Sequence, residues 1–139
     1  MTWLVYAFIS AASAAATAVL AKRGVEGVPS TLATAVRTLV VVVFVWLMVV
    51  GLNQHRDLRT LTARTWMYLA LSGIGTGVSW LAYFHALKLG PASRVAPIDK
   101  LSVAFAIALG VLVLGEPFSW RIALGGALVV AGALVIATG

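Results

Sequence analysis

Five apolar runs, each near the length of a membrane-crossing helix, alternate with short polar connections: Trp3 to Ala21, Thr31 to Gly51, Thr65 to Leu87, about Val95 to Leu114, and Ser119 to Ala137. The pattern predicts helices throughout. Hydrocarbon offers backbone groups no partners, and these runs are about twice what a tilted barrel strand requires. The connections carry turn chemistry: Gly24, Gly27 and Pro29, then Asn53 to Asp57, then Gly90-Pro91, with Glu116-Pro117 closing the fourth run and Ser119 able to cap the fifth. Leu52 to Arg64 is the one long loop. The expected fold is an all-α integral membrane protein, a five-transmembrane-helix bundle formed by residues 1–139 as a single domain.

The fourth run breaks the pattern. Its apolar part, Leu101 to Gly115, is 15 residues, roughly 22 Å of helix against a hydrocarbon core of about 30 Å. To span, the helix has to start earlier, which draws Asp99 and Lys100, just after Pro97, below the headgroups. Ionisable groups there are costly, so a polar cavity or a partner is the default inference. On a regular helix adjacent residues point about 100° apart, so Asp99 and Lys100 are expected to face different partners. Asp99 continues through Ser102, Ala106 and Gly110 as a polar-to-small stripe facing the interior, whereas Lys100 has the stem to snorkel outward. Arg37, about two turns into the second run, is placed either to snorkel to phosphates or to pair with Asp99.

Two runs carry polar stripes at helical spacing: Tyr6, Ser10, Ser13 and Thr17 in the first, and Ser72, Thr76, Ser79 and Tyr83 in the third. Hydroxyls gain nothing from lipid tails, so these faces are expected to turn toward other helices or a hydrated cavity. In the first run, with its many alanines, packing by small residues explains the stripe as well as cavity lining does. In the third, Trp80 lies well inside the span instead of in an interfacial belt. With Tyr83, Phe84 and His85 it forms a candidate binding wall, core packing being the alternative. A lone histidine such as His85 is more often a satisfied polar contact. Gly73 to Gly77 superficially resembles a phosphate loop, but no strand precedes it, and Gly73 and Gly77 read as a close-packing pair, as do Ala106 with Gly110 and the stretch from Gly125 to Gly132.

Composition fixes the class. The chain is 62% hydrophobic and 10% charged, with mean hydropathy +1.05, so most of it has no polar face to show water. Its net charge of +6 reads as membrane anchoring and not as a nucleic-acid surface. Cysteine is absent, which removes disulfides, thiol nucleophiles and thiolate metal sites. The amino terminus lacks a basic n-region and reads as the first span, not a cleaved signal. No metal-ligand spacing, defensible catalytic triad or nucleotide motif is present, so neither an enzyme nor a cofactor is expected.

Five spans put the termini on opposite sides. The connections between the second and third and the fourth and fifth runs carry Arg56, Arg59, Arg64 and Arg121; the other side carries Lys22, Arg23, Lys88, Arg94 and Lys100, with Arg37 if it snorkels there. Since Lys and Arg asymmetry orients membrane proteins, near balance permits insertion both ways up and hence an inverted, antiparallel homodimer; a single orientation set by other signals is the alternative.

The run Trp80-Leu81-Ala82-Tyr83-Phe84-His85-Ala86-Leu87-Lys88-Leu89-Gly90-Pro91-Ala92-Ser93, then Val95-Ala96-Pro97-Ile98-Asp99-Lys100-Leu101-Ser102, Leu114-Gly115-Glu116 and Gly125-Gly126 closely resembles the EamA domain of the drug/metabolite transporter superfamily, in its single-domain, five-helix branch. The resemblance covers essentially the whole chain, including Arg37. It departs at His85, where relatives often carry arginine. The resemblance implies a secondary transporter in the cell (inner) membrane, often an exporter of amino acids or similar small metabolites, with substrate held between inverted repeats near the midplane. A single-domain chain recovers that architecture by pairing with a second copy. On this reading Ser10, Ser13, Thr17, Thr76, Ser79, Trp80, Tyr83 and His85 line the cavity, and Asp99, Lys100 and Arg37 form the coupling or charge network. The partners expected are a small-molecule substrate, a second copy of the chain and the lipid bilayer. Related small multidrug resistance proteins exchange protons for hydrophobic cations through an acid in helix 1; this chain has none there, leaving Asp99 as the candidate coupling group. A proton-coupled exporter of hydrophobic cations is therefore the alternative, followed by a lipid-carrier flippase and a non-transporting packing subunit.

Overall fold

The computed structural model describes residues 2–139; Met1, the first residue of the expected domain, lies outside the described residues. These fold entirely into helices: α1 (Thr2–Gly24), α2 (Ser30–Gly51), a 3₁₀ helix (Gln54–Thr60), α3 (Ala63–Leu89), α4 (Ala92–Asp99), α5 (Ser102–Leu114) and α6 (Trp120–Thr138). Four stretches are long and apolar enough to cross a membrane: α1, α2, Ala92–Leu114 taken together, and α6. At 27 residues α3 is longer than any of them. It carries serines, glycines, Thr76, tryptophans and His85 among its apolar residues and is not one of the four.

The single helix expected over residues 95–114 is in fact two. Pro97 sits inside α4 and has no N–H to give the Ser93 carbonyl. Beyond it the chain tightens: Lys100 N–H donates to Pro97 O, Leu101 to Ile98 O, Val103 to Lys100 O and Ala104 to Leu101 O, each at 3.0 Å. These are 3₁₀-type bonds, so the break keeps its backbone groups satisfied, as a membrane requires. The expected loop from Leu52 to Arg64 is likewise shorter than the sequence suggests. It holds the 3₁₀ helix, entered through Asn53 at φ 58, and Thr62 Oγ1 accepts from the Thr65 N–H to start α3. Ser119 caps α6 as expected, its hydroxyl accepting from the Ile122 N–H at 3.3 Å.

Two compact units emerge. One takes α1 up to Arg23 together with Leu89–Gly139, the other Gly24–Lys88. In the first unit α6 packs on both α4 and α5, with Gly126 buried where a Cβ would meet Ile107 Cδ1 at 3.0 Å. That contact bears out close packing for the Gly125 to Gly132 stretch at one position. Lys22, at the end of α1, donates to the Gly90 carbonyl at 3.0 Å. At the end of α5, Gly115 turns left-handed at φ 68 and the Glu116 N–H reaches back to Gly110 O at 3.1 Å. The Glu116 side chain follows, placing Oε2 2.8 Å from where a Gly110 Cβ would stand. Gly110 thus makes room for a carboxylate of its own chain.

The second unit pairs α2 and α3. Val28 O accepts from Lys88 Nζ, Ser30 meets His85, and Arg37 meets Trp80. Numbers rising on one helix against falling on the other make the pair antiparallel. Its core is Val25, Thr34, Phe84 and Leu87, all buried. Thr34 and Thr38 donate to the carbonyls four residues back, at 2.8 and 2.7 Å, so neither hydroxyl needs an outside partner. Large apolar side chains elsewhere on α2, such as Leu39, Val40 and Leu47, are exposed, as expected of a face that lipid or another helix covers.

Candidate functional site

The α2–α3 pair builds one site from the residues upward. Arg37 lies seven residues beyond Ser30, about 10 Å along α2. Trp80 and Phe84 are one helical turn apart on α3, so their rings share a face. The Arg37 guanidinium carbon sits 4.2 Å from the Trp80 ring centroid and 5.5 Å from that of Phe84. Both distances fall inside the range of cation–π attraction, in which the negative ring face holds the cation. Tyr83 meets Phe84 edge to face, with centroids 6.4 Å apart. Toward the end of the pair, Ser30 Oγ and His85 Nδ1 make a long contact of 3.4 Å.

The electrostatics of this cluster are incomplete. Arg37 Nη1 is buried and has no hydrogen-bond partner, one of two such side-chain atoms among the described residues, the other being His55 Nδ1 in the 3₁₀ helix. The acids of this unit are Glu26 and Asp57, and among the described residues neither forms an ion pair with Arg37. The rings stabilise the charge, whereas Nη1 donates to no acceptor in exchange for lost water. An anion with two acceptor oxygens is what a guanidinium edge is built to bind.

Of the residues picked from the sequence, Arg37, Trp80 and His85 are brought to this pair of helices, and Tyr83 adjoins it through Phe84. Arg37 lays its guanidinium against the Trp80 and Phe84 rings. Thr76 and Ser79 lie further along α3, exposed, with the Thr76 hydroxyl donating to Ser72 O at 3.0 Å. Ser10 and Ser13 are exposed on α1 and Thr17 is half-buried; these three belong to the other unit, as do Asp99 and Lys100.

The expectation that Asp99 and Lys100 would face different partners is wrong: Lys100 Nζ lies 3.2 Å from Asp99 Oδ2. The helix ends at Asp99, and the four-carbon lysine stem folds back across the tightened turn, which a rotation angle for a regular helix does not capture. Phe84, read from the sequence as part of the α3 wall, supplies the second ring. Two residues escaped the sequence reading of the site. Ser30 reaches His85 across the antiparallel pair, and no local pattern announces that. Glu116, read only as a helix terminator, rims a groove of about 680 Å³ lined by Val103, Ala106, Ile107 and Val113, and forms no ion pair among the described residues.

Comparison with known proteins agrees with the resemblance read from the Trp80 to Ser102 stretch. The model of the EamA-like transporter family matches residues 1–138. A Sinorhizobium protein described as an uncharacterized transporter in the cobO 3′ region is 48% identical over 136 residues, covering 98% of this chain and 96% of that protein. No solved structure matches the chain. An all-helical chain with four membrane-capable stretches, matched from end to end by this model and by a transporter of nearly equal length, belongs to the EamA-like transporter family.

Proposed function

We propose that this protein is a secondary transporter that moves a small metabolite, an amino acid or a similar neutral or zwitterionic molecule, out of the cell by alternating access across the cell membrane. The observation that carries this reading is the Arg37 guanidinium held against Trp80 and Phe84 with Nη1 unpartnered. A half-buried charge facing rings, with one donor buried and no counter-ion, is costly for a helix pair that only packs, and useful for one that binds. On this reading α3 is the fifth span, and its polar stripe lines the substrate path. An odd number of spans then pairs with a second copy, inverted, so that two equivalent halves enclose the substrate. The near-balanced flanking charge supports this pairing.

Reconstituted vesicles loaded with unlabelled metabolites and challenged with labelled ones test the reading. Exchange of at least one member of an amino acid and small-carboxylate panel is expected. A panel-wide failure by correctly inserted protein, with a cysteine placed at Ser79 unreactive to water-soluble reagents, would falsify it and leave a packing subunit.

A specific observation favours a second reading. The Glu116 carboxylate stands over Gly110 at the rim of an apolar groove, an arrangement suited to hydrophobic cations and their proton-coupled export. Competition of a lipophilic cation such as tetraphenylphosphonium with metabolite exchange, lost in Glu116→Gln, separates this reading from the first.

A further inference from the structure

The transporter reading leaves the substrate's own chemistry open, and Arg37 narrows it. We infer that Arg37 is an oxyanion-binding residue whose ligand is the carboxylate of the transported molecule, with Trp80 acting as the positioning residue that holds the guanidinium plane. The inference rests on the transporter reading and adds the group by which the substrate is recognised.

Three observations converge. The first is the missing partner: nothing among the described residues accepts a hydrogen bond from Arg37, and Nη1 is shut away from water. A buried donor without an acceptor costs free energy that a ligand oxygen would recover. The second is orientation. The guanidinium carbon sits 4.2 Å from the Trp80 ring centroid, and a guanidinium stacked on a ring keeps its edge, where the paired N–H groups lie, for a fork-to-fork bond with two oxygens. The third is the surroundings. The Trp80 ring beside the charge is only half-buried, so an apolar wall with accessible surface stands next to Arg37. Carboxylate and apolar body together describe a small amphipathic acid or amino acid.

A lipid phosphate presents the same oxyanion chemistry, and the experiment has to separate the two sources. The probe is labelled 3-phenylpropionate, compared with its neutral isostere 3-phenylpropionamide. Both are measured by equilibrium dialysis against the full-length protein in phosphate-free maltoside micelles, with empty micelles subtracted. The acid is expected to bind at least about tenfold tighter than the amide, the ratio that one charge-assisted bond of about 1.4 kcal/mol supplies. Arg37→Gln should bring that ratio to about one. Arg37→Lys should recover only part of it, because an ammonium has neither the fork nor the flat face. Trp80→Leu should lower the ratio while leaving affinity for the amide unchanged.

Equal binding of acid and amide by the unmodified protein overturns the inference, and that arm needs no variant to fold. So does a tenfold ratio that persists in Arg37→Gln. Phosphatidylglycerol in molar excess should leave acid binding intact. If it displaces the acid completely, in a manner lost with Arg37→Gln, the residue serves a lipid headgroup and the inference fails. Exchange in vesicles without acid-over-amide preference would sink this inference and leave the transporter standing; preference without exchange would do the reverse.

Discussion

Replacing Trp80 and Arg37 singly and together measures the contact on which the site depends. A guanidinium carbon 4.2 Å from the ring centroid is well within the roughly 6 Å at which cation–π attraction acts, and its strength runs from about 0.5 kcal/mol when exposed to about 2 kcal/mol when desolvated. Arg37 is half-buried, which puts the expected coupling at about 1 kcal/mol. Trp80→Leu also opens a cavity, and Arg37→Met also removes the weaker contact with Phe84 at 5.5 Å. Both side effects occur in the single and the double variant and cancel in the cycle. Reversible unfolding in mixed maltoside and dodecyl sulfate micelles supplies the four free energies. Arg37→Met alone should cost under about 1 kcal/mol, since it loses the ring attraction but also discards an unsatisfied buried donor that costs about 1–3 kcal/mol. Single effects that add to within about 0.5 kcal/mol mean that ring and cation do not interact. A loss above about 3 kcal/mol for Arg37→Met would mean the guanidinium is already fully partnered.

Four further outcomes are expected. Gly115→Ala, at φ 68, should destabilise by about 1–2 kcal/mol through left-handed strain, and Gly115→Asn by less; equal stability of all three would show the turn to be unstrained. Gly110→Ala should be near neutral despite the 2.8 Å approach of Glu116 Oε2, because the intruding atom ends a flexible side chain and alanine favours the helix; a loss above about 2 kcal/mol in the same unfolding assay would show that Glu116 is held rigidly. Proton coupling through Asp99 requires Asp99→Asn to abolish uphill transport while substrate binding survives without its pH dependence, and unaltered pH-dependent transport by normally expressed protein would remove Asp99 from coupling and leave its pair with Lys100 as scaffolding. Carboxy-terminal reporters should appear on both sides of the membrane; one side only, with added lysines changing neither topology nor activity, refutes the antiparallel pairing.

Helix positions were legible because the signal is local and strong. Apolar runs near 20 residues admit few other structures in lipid, and Ser119 or Gly115 announce helix ends by their own backbone preferences. The division at Asp99 was half legible: the short apolar remainder drew attention to Pro97 and Asp99, but the turn that lets Lys100 reach Asp99 depends on hydrogen bonds that no hydropathy pattern encodes. Gly110 was misread for a related reason. Small residues at a spacing of four imply that something comes close, and the sequence does not say whether it is another helix or, as here, the chain's own Glu116. Arg37 was singled out by its depth alone. Its rings lie more than 40 positions further along the chain, so only the antiparallel register of α2 and α3 identifies them.

Among the polar side chains of the long helices, Arg37 departs from the economy of the rest. Thr34, Thr38, Thr76 and Thr138 each satisfy a hydroxyl on their own helix, and Lys22 and Lys88 each find a carbonyl at a helix end. The tightened turn after Pro97 preserves its backbone bonds. Across these polar groups the chain avoids leaving a donor without an acceptor, as a low-dielectric surrounding demands. Arg37 breaks this rule inside the second apolar run, where the breach is costly, and it does so beside the Trp80 and Phe84 rings. Methionine would fill the space on Trp80 without the unmet donor, so packing gives no reason for arginine there. A conflict between local stability and the residue present is the physical mark of a site whose missing partner arrives from outside. On the transporter reading, the partner of Arg37 carries negative charge and leaves again, since a permanent counter-ion would be incompatible with turnover.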